Sequence, residues 1–248
     1  MTVDLRAETV HFAGHGGDEV EAYAARPLVT SPVGGVVVIH HLPGYDESTK
    51  EITRRFAAHG YNAMCVNLYS REAPGASPDD AAATARALGG VPDERLVGDV
   101  GAAVAYLRAL PTSNAKVAVI GYCSGGRQSV LAACSLDLDA AVDCYGAYVV
   151  LDTPADSSVH FTSLVPLLDE MSCPLLGLFG ADDAFPSPEQ TETLRAVLDD
   201  LGKEFTFHTY EGAGHAFFNV DRPSYRPEVA REAWDEIWRF FDQHLTTT

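Results

Sequence analysis

Two residues that could act as nucleophiles, Cys123 and Ser124, stand side by side in the segment VAVIGYCSGG. The segment is typical of a strand that turns sharply into a helix, and such a turn exposes its apex side chain above the sheet. The positions two before and two after the apex must be very small, because their backbones nearly touch. Gly121 and Gly125 meet this demand around Cys123, whereas an apex at Ser124 would place the bulky Tyr122 at the first of these positions. The sequence therefore predicts Cys123 as the nucleophile.

The same turn predicts groups that would assist a cysteine nucleophile. The first amides of the following helix, together with its dipole, favour the thiolate form of Cys123. The backbone N–H of Ser124 is expected to face the same space and to donate to an oxyanion that develops on an attacked carbonyl. A second donor is expected at Leu42, in the loop that ends VVVIHHLPG, because this loop lies beside the turn in enzymes built this way. We therefore expect the amides of Ser124 and Leu42 to form an oxyanion hole.

An acid that could orient a catalytic imidazole is expected just after the predicted strand PLLGLFG. Asp182 and Asp183 both follow this strand, and either carboxylate could accept the Nδ1 proton of a histidine. The spacing from Gly180 and the Pro-Ser-Pro turn that follows favour Asp183, while Asp182 stays open as the alternative. The acid that is not used would be an ordinary turn or capping residue.

The third chemical group is His215 in the segment YEGAGHAFFNV, which follows the predicted strand FTFHTY. Its glycine-flanked loop could bring the imidazole over the nucleophile. The chain order of nucleophile, acid and histidine is one of the known orders of hydrolytic triads. We therefore expect Cys123, Asp183 and His215 to act together, with the imidazole taking the thiol proton and the acid fixing its tautomer.

The elements that must position these groups alternate between strand and helix along the chain. This alternation predicts an α/β fold in which a mostly parallel sheet carries helices on both faces, in a single domain over residues 1–248. The alternating segments AETVHFAG and EVEAYAARP predict a hairpin at one sheet edge, and a helix capped by Ser48 is predicted over STKEITRRFAAHG. A long excursion rich in proline and glycine, residues 70–93, is predicted to wall the site.

Composition excludes some classes of function. Seventeen basic and 35 acidic residues give a formal charge of −18, which is the wrong sign for a nucleic-acid-binding protein. The sequence contains nothing close to the roughly 18 uninterrupted apolar residues of a membrane span, so no membrane partner is predicted. The segment MTVDLRAETV has an early acid and no apolar core, so no secretory signal is predicted.

Cysteine and histidine spacing gives no support for a metal or another cofactor. Five cysteines are scattered without a CxxC pair, which predicts reduced thiols in the cytoplasm rather than disulfides or zinc. His40 and His41 are adjacent on a predicted strand, so their side chains should point to opposite faces and not bind one ion. We therefore expect neither metal nor cofactor.

The motifs together resemble the dienelactone hydrolases, the carboxymethylenebutenolidase family of the α/β-hydrolase superfamily. The likeness rests on GYCSGG, on the Gly-x-x-Asp of residues 180–183, on GAGHAFF and on NLYSREAPG, and it spans nearly the whole chain. The cysteine at the apex is its most specific element, since most α/β-hydrolases carry serine there. The resemblance implies the α/β-hydrolase fold and a triad of Cys123, Asp183 and His215. It further implies hydrolysis of a lactone or enol ester through a thioacyl-enzyme without a cofactor.

Two positions depart from the pattern of the dienelactone-cleaving members. The resemblance implies a glutamate that helps to hold the thiol where this chain has His41. It also implies two arginines that bind the substrate carboxylate: Arg71 matches the first, and Asn219 stands four residues after His215, where the second is missing. The pocket is accordingly predicted to include His41, Arg71 and Tyr122. Arg222 or Arg226 could replace the missing arginine if its loop folds back.

The sequence is compatible with three functions. The leading one is a cysteine-dependent hydrolase whose partner is a small ester or lactone. A carboxylesterase or thioesterase acting on neutral esters is the second, favoured by the missing arginine and by the negative charge of the protein. A thiol-sensing or binding protein on a hydrolase scaffold is the third, because a fold alone does not prove turnover. The chain is expected to be a monomer or a homodimer.

Overall fold

The computed structural model describes residues 4–246, and the strands within that range form one eight-stranded sheet in the order β1-β2-β4-β3-β5-β6-β7-β8. The strands are β1 (Leu5–Ala13), β2 (Glu19–Pro27), β3 (Val33–Ile39), β4 (Asn62–Val66), β5 (Ser113–Tyr122), β6 (Ala140–Cys144), β7 (Leu175–Gly180) and β8 (Phe205–Tyr210). The helices are α1 (Glu47–His59), α2 (Pro78–Ala87), α3 (Asp93–Arg108), α4 (Ser124–Ser135), α5 (Pro188–Asp200) and α6 (Pro227–Leu245). The expectation about a secretory signal falls partly on residues 1–3, which lie outside the described residues.

The pairing of the strands confirms the predicted mostly parallel sheet. Strand β2 is antiparallel to β1 and to β4, and the other neighbouring strands of the described sheet run parallel. The hairpin of β1 and β2 lies at one edge, as its alternating sequence predicted. Because parallel strands end at the same side of a sheet, the segments after β5, β7 and β8 emerge together. These segments carry Cys123, Asp183 and His215.

The run of apolar residues in β3 explains why helices cover both faces of the sheet. Val36 and Val38 pack on the side of α1 and α6, whereas Val37 and Ile39 pack on the side of α3 and α4. Successive side chains of a strand point to opposite faces, so a strand with no polar position must be buried on both sides. None of these four side chains is more than 1% exposed.

Helix α1 begins at a different residue from the one predicted. Its N-cap is Asp46, whose side chain accepts a hydrogen bond from the backbone N–H of Thr49. The cap predicted at Ser48 was wrong, because the aspartate two residues earlier takes that position and leaves Ser48 inside the first turn.

The excursion over residues 70–93 contains helix α2, capped by Ser77. Near its end, Gly89 bridges to Val159 in the segment after β6. Just before its start, the Tyr69 hydroxyl donates to the carbonyl oxygen of Leu42 at 3.0 Å. The excursion therefore connects the loop after β3 with the segment after β6, and its role as a wall of the site stays a prediction.

A buried ion pair fixes the helix that follows Cys123. Arg127 of α4 is fully buried and donates to both carboxylate oxygens of Asp93, at the start of α3, at 3.0 Å each. A guanidinium inside the protein needs such a partner, because an unpaired buried charge is strongly unfavourable. The pair therefore holds α4 in place against α3. No helix within residues 4–246 is both long enough and apolar enough to cross a membrane.

Candidate active site

The turn between β5 and α4 has the strained geometry that its sequence predicted. Cys123 is its apex, with φ 56° and ψ −122°, a conformation that L-residues rarely adopt. A Cβ atom added to Gly121 would lie 1.9 Å from the carbonyl oxygen of Gly125. One added to Gly125 would lie 2.3 Å from the carbonyl oxygen of Ile39. Only glycine fits at either position, so the sharp turn depends on both of them.

The backbone around Cys123 leaves two N–H groups available. The Cys123 amide itself donates to the Cys144 carbonyl of the neighbouring strand at 3.0 Å. Within residues 4–246, the N–H groups of Leu42 and Ser124 make no hydrogen bond to another protein group. The close approach of Gly125 to the end of β3 brings the loop that contains Leu42 alongside the turn. These two amides are therefore free to bind an oxygen atom near Cys123.

The structure pairs His215 with Asp183 and not with Asp182. The Nδ1 atom of His215 lies 2.8 Å from Oδ2 of Asp183, whose side chain is 1% exposed. The other carboxylate oxygen of Asp183 accepts the backbone N–H of Phe185 at 2.9 Å. Asp182 is exposed, and its backbone N–H donates to the carbonyl of Ala213. The buried acid thus fixes which ring nitrogen of His215 faces away from Asp183.

The electrostatic environment of His215 favours its protonated form. Burial of the ring acts to lower its pKa, but the hydrogen bonds to Asp183 and Cys123 and the charges of both partners outweigh burial and raise the pKa to about 10. The imidazole is therefore bonded to the Asp183 carboxylate through Nδ1, and the Cys123 thiol is the second group that raises its pKa.

An aromatic group that sequence reasoning missed stands beside the imidazole. The ring of Tyr145 meets the ring of His215 edge to face, with 5.2 Å between centroids, and it also contacts Tyr122 and Phe218. Tyr145 directly follows β6, the neighbour of β5, so its position at a strand end could have been read from the sequence. A small cavity of about 20 Å³ is lined by Tyr122, Tyr145, Phe218 and His41 among other residues. That volume accommodates about one water molecule.

His41 lies in this cavity wall, but it is paired with an acid. Its Nε2 atom is 2.7 Å from Oδ2 of Asp46, and its side chain is 15% exposed. Burial alone would raise the pKa of Asp46, but the hydrogen bond and charge of His41 dominate and lower it to about 2. His40 points elsewhere, accepting the backbone N–H of Leu68 at 3.3 Å, and burial lowers its pKa to about 4. The two histidines therefore face different partners, but both follow the end of β3 rather than lying on the strand as predicted.

The structure does not bring Arg71 into this group, which corrects the expectation that it lines the pocket. Its guanidinium donates to both carboxylate oxygens of Asp99, at 2.7 and 2.9 Å, and to Asp18 at 2.8 Å. It also donates to the carbonyl of His15 at 3.3 Å. Asp99 is completely buried, so Arg71 neutralises a charge that would otherwise be unpaired. Nearly all of its hydrogen-bonding capacity is used inside the protein.

The loop after β8 gives the other arginines different positions. Arg226 donates to the backbone carbonyls of Gly212, Pro223 and Tyr225, so it holds the loop together. Arg222 is exposed, and the role considered for it stays a prediction. Asn219 contributes to the small cavity beside Tyr122, at the position where the second arginine was expected.

Among residues 4–246, no three His, Cys, Asp or Glu side chains are grouped as ligands of a metal ion would be. The five cysteines are free thiols, of which Cys123 and Cys134 are partly accessible.

The order of the sheet, the turn at Cys123 and the positions of Asp183 and His215 define an α/β-hydrolase. The Pyrococcus horikoshii acylaminoacyl peptidase shares this fold with a TM-score of 0.74 at 18% identity, covering all of this chain and 43% of that one. A family model described as the dienelactone hydrolase family matches residues 20–245, so the chain belongs to that family of carboxylic ester hydrolases.

Individual relatives agree with this assignment. A Salmonella typhimurium protein named "Putative carboxymethylenebutenolidase" is 33% identical over 236 residues, which cover 92% of this chain and 84% of that protein. The crystal structure named "Putative Dienelactone Hydrolase" from Klebsiella pneumoniae superposes with a TM-score of 0.85 at 28% identity. It covers 97% of this chain and 99% of its own.

Proposed function

We propose that this protein hydrolyses carboxylic esters or lactones through a thioacyl-enzyme formed on Cys123. The Cys123 sulfur attacks the carbonyl carbon and forms a C–S bond, and the C–O bond to the alcohol then breaks. His215 gives its proton to the departing alkoxide. In the second half, His215 takes a proton from water, the hydroxide attacks the thioester, and the C–S bond breaks to release the acid.

The change in charge at sulfur explains how one imidazole serves both halves. Before acylation, the Cys123 sulfur and the Asp183 carboxylate both favour imidazolium, which is the proton donor that the leaving group needs. After acylation the sulfur is uncharged, so one of the causes that raise the His215 pKa disappears. The imidazole can then lose its proton and act as the base toward water. Asp183 keeps the ring oriented throughout.

The amides of Ser124 and Leu42 are the proposed donors to the oxyanion. Their N–H groups lie at the start of α4 and in the loop beside the turn, and neither donates elsewhere among the described residues. Preorganised backbone donors stabilise a tetrahedral intermediate without having to reorganise during the reaction.

The single observation that supports this function most strongly is the strained apex at Cys123, with φ 56°, beside a histidine bonded to a buried acid. A structural cysteine has no need of a strained backbone and a matched acid–base pair. The combination of the three supports catalysis rather than thiol sensing.

A specific observation also favours neutral esters over anionic lactones as substrates. Arg71, the arginine expected to bind a substrate carboxylate, is bound bidentately to the buried Asp99. The formal charge of −18 acts in the same direction, because it repels anions at a distance.

The decisive experiment compares Cys123→Ala with Cys134→Ala in the hydrolysis of p-nitrophenyl acetate. Loss of the nucleophile should lower kcat/KM by at least about a thousandfold, whereas the other partly accessible thiol should be dispensable. Mass spectrometry of the wild-type protein quenched during turnover should find an acyl group on Cys123. Wild-type activity in Cys123→Ala would end the proposal, and oxidation of Cys123 without any acyl adduct would favour a thiol sensor.

A further inference from the structure

A groove between α1 and α6 opens close to the proposed nucleophile. Its volume is about 370 Å³, within the range of pockets that hold small organic ligands. Its walls are largely aromatic and apolar, formed by Ile52, Phe218, Tyr225, Trp234 and Trp238. Trp234 and Trp238 stack with 4.8 Å between ring centroids, which makes one wall flat. Such a wall suits an apolar or aromatic group.

The groove adjoins the small cavity lined by Tyr122, Tyr145 and His41, and the Tyr145 ring contacts His215 of the proposed site. Three residues, Ser48, Ile52 and Phe218, line both spaces. Phe218 meets Tyr122 edge to face at 5.5 Å, and Tyr122 directly precedes Cys123 in the chain. The two spaces are therefore separated by little more than the ring of Phe218 and the side chains of α1.

The small cavity and the α1–α6 groove differ in size and therefore can hold different parts of a substrate. The inner cavity, at about 20 Å³, cannot enclose an ester larger than its reacting atoms. A substrate attacked by Cys123 therefore needs room outside this cavity for its other groups. The groove is the adjoining space that is large enough to receive the rest of the molecule.

The charges that border the groove are paired with each other. Arg55 contacts Glu51 at 3.0 Å and lies 4.9 Å from the centroid of the Trp234 ring. Arg231 contacts Asp235 at 3.6 Å. With each cation matched by an acid one helical turn away, the bordering charges balance and give an anionic group no excess positive charge to bind.

From these observations we propose that the α1–α6 groove is a substrate subsite that binds a neutral apolar or aromatic substituent of the ester. The proposal rests on the proposed function, because the substituent is bound while its ester carbonyl is attacked by Cys123. It predicts that a substrate long enough to reach the groove gains binding energy that a small acetate ester cannot gain.

The kinetic test narrows the groove where it meets the inner cavity. Ser48→Phe adds a ring at this junction, and Thr193→Phe adds the same ring at an exposed site on α5, across the sheet. The substrates are p-nitrophenyl 4-phenylbutyrate, extended on the acyl side, and 2-naphthyl acetate, extended on the alcohol side, each compared with p-nitrophenyl acetate. For at least one extended ester, Ser48→Phe should lower kcat/KM relative to the acetate by about tenfold, mainly through KM. Thr193→Phe should leave the ratios unchanged, and unchanged ratios in Ser48→Phe for both esters would overturn the proposal.

A second variant keeps the proposal testable if Ser48→Phe does not fold. Val220→Asp places a charge at the mouth of the groove, where the side chain is 59% exposed, so the fold should tolerate it. This variant should lower the same ratio by several-fold, because the apolar substituent would meet a solvated carboxylate. Thermal denaturation of all the variants shows which of them are folded.

Direct binding can be measured without turnover, because both tryptophans of the chain line the groove. The neutral probe 4-phenylbutyramide should quench or enhance tryptophan fluorescence saturably in Cys123→Ala, and Ser48→Phe should weaken this binding by about tenfold. If the 4-phenylbutyrate anion bound as tightly as 4-phenylbutyramide, the proposal that the groove selects a neutral substituent would be wrong. Saturable binding with unchanged kinetic ratios would overturn the subsite role. Failure of the proposed function would instead appear as undiminished hydrolysis by Cys123→Ala, whatever the probe does.

Discussion

His41 stands where the dienelactone-cleaving enzymes are expected to carry a glutamate, and it is bound to Asp46 at 2.7 Å. The same wall of the inner cavity includes Tyr122, the residue before Cys123. A glutamate at position 41 would bring a second carboxylate next to Asp46 and toward the thiolate, whereas the histidine supplies a partner for Asp46. At the scale of single residues, we propose that this exchange changes the charge near Cys123.

We predict that alkylation of Cys123 by iodoacetamide occurs at lower pH in the wild-type protein than in His41→Glu. The added negative charge disfavours the thiolate, and an interaction on the order of 1 kcal/mol moves the midpoint of the alkylation profile up by about one pH unit. His41→Gln is the matched control, because it can still hydrogen-bond to Asp46 without carrying a charge. If the wild-type protein and His41→Glu gave the same dependence of alkylation on pH, His41 would have no role in activating the thiol.

Asp143, at the end of β6, is a buried carboxyl group with one unused oxygen. Its Oδ1 atom accepts the backbone N–H of Gly146 at 2.7 Å, and its Oδ2 atom has no partner among the described residues. Burial raises the pKa of Asp143 to about 7, although the hydrogen bond from Gly146 opposes this shift. The folded protein therefore favours the protonated acid, whereas the unfolded chain releases the proton at much lower pH.

We predict that Asp143→Asn becomes progressively more stable, relative to the wild-type protein, as the pH rises. Since the folded-state pKa lies above the unfolded-state value, wild-type stability declines across the interval from about pH 4 to about pH 7 and is constant above it. Between pH 5 and pH 8 the difference in the free energy of unfolding should change by about 2–3 kcal/mol in favour of the amide. Denaturant titrations at both pH values measure it. Asp137→Asn, at a side chain that is 95% exposed, is the control, and a pH-independent difference for Asp143→Asn would contradict the prediction.

The turn between β5 and α4 is the structural element on which the proposed chemistry depends. Its two glycines are required by contacts with backbone atoms, which cannot move aside as a flexible side chain can. The second glycine, Gly125, faces the end of β3, so it also sets the distance from the turn to the loop that carries Leu42.

We predict that Gly125→Ala lowers the free energy of unfolding by about 2–4 kcal/mol and removes most of the esterase activity. The new methyl group would meet the carbonyl oxygens of Ile39 and His40 at 2.3 and 2.8 Å, so the turn must shift. Gly101→Ala in α3 is the matched control, because its methyl group would meet only the end of the Leu136 side chain, at 3.2 Å. Full activity in Gly125→Ala would show that the turn tolerates the displacement.

At the scale of the whole molecule, the charge of −18 acts on substrates before they reach the site. A negative protein repels anions over a distance of about 10 Å in ordinary buffer, and salt screens this repulsion. Neutral esters do not experience it.

We predict that salt increases kcat/KM for an anionic substrate and leaves it unchanged for a neutral one. Raising the ionic strength from about 10 to about 300 mM should increase kcat/KM for mono-p-nitrophenyl succinate about threefold or more. The value for p-nitrophenyl acetate should stay constant, which controls for general effects of salt on the enzyme. A decrease for the succinate would indicate an excess of positive charge around the site and would argue for an anionic substrate.

Features that depend on residues close together in the sequence could be predicted, whereas features that depend on residues far apart in the sequence could not. The turn at Cys123 could be predicted because Gly121 and Gly125 lie within four residues of each other and their steric demand is local. The parallel sheet could be predicted because a strand with no polar position must be covered on both faces. Spacing in the sequence favoured Asp183 over Asp182 without excluding either acid. The tertiary structure decided between them, because it buries Asp183 against His215 and leaves Asp182 exposed.

Arg71 and the α1–α6 groove needed the tertiary structure entirely. Arg71 has the residue type and position of a substrate ligand, but its partner Asp99 is 28 residues away on a helix whose packing no local pattern specifies. The groove forms where α1, in the first quarter of the chain, meets α6 at its end. Thus the sequence by itself determined the class of protein and the strained turn with Cys123 at its apex, because both follow from backbone constraints within short segments. Only the tertiary structure decided which charges are already neutralised and where a substrate has room, because both depend on which distant elements come into contact.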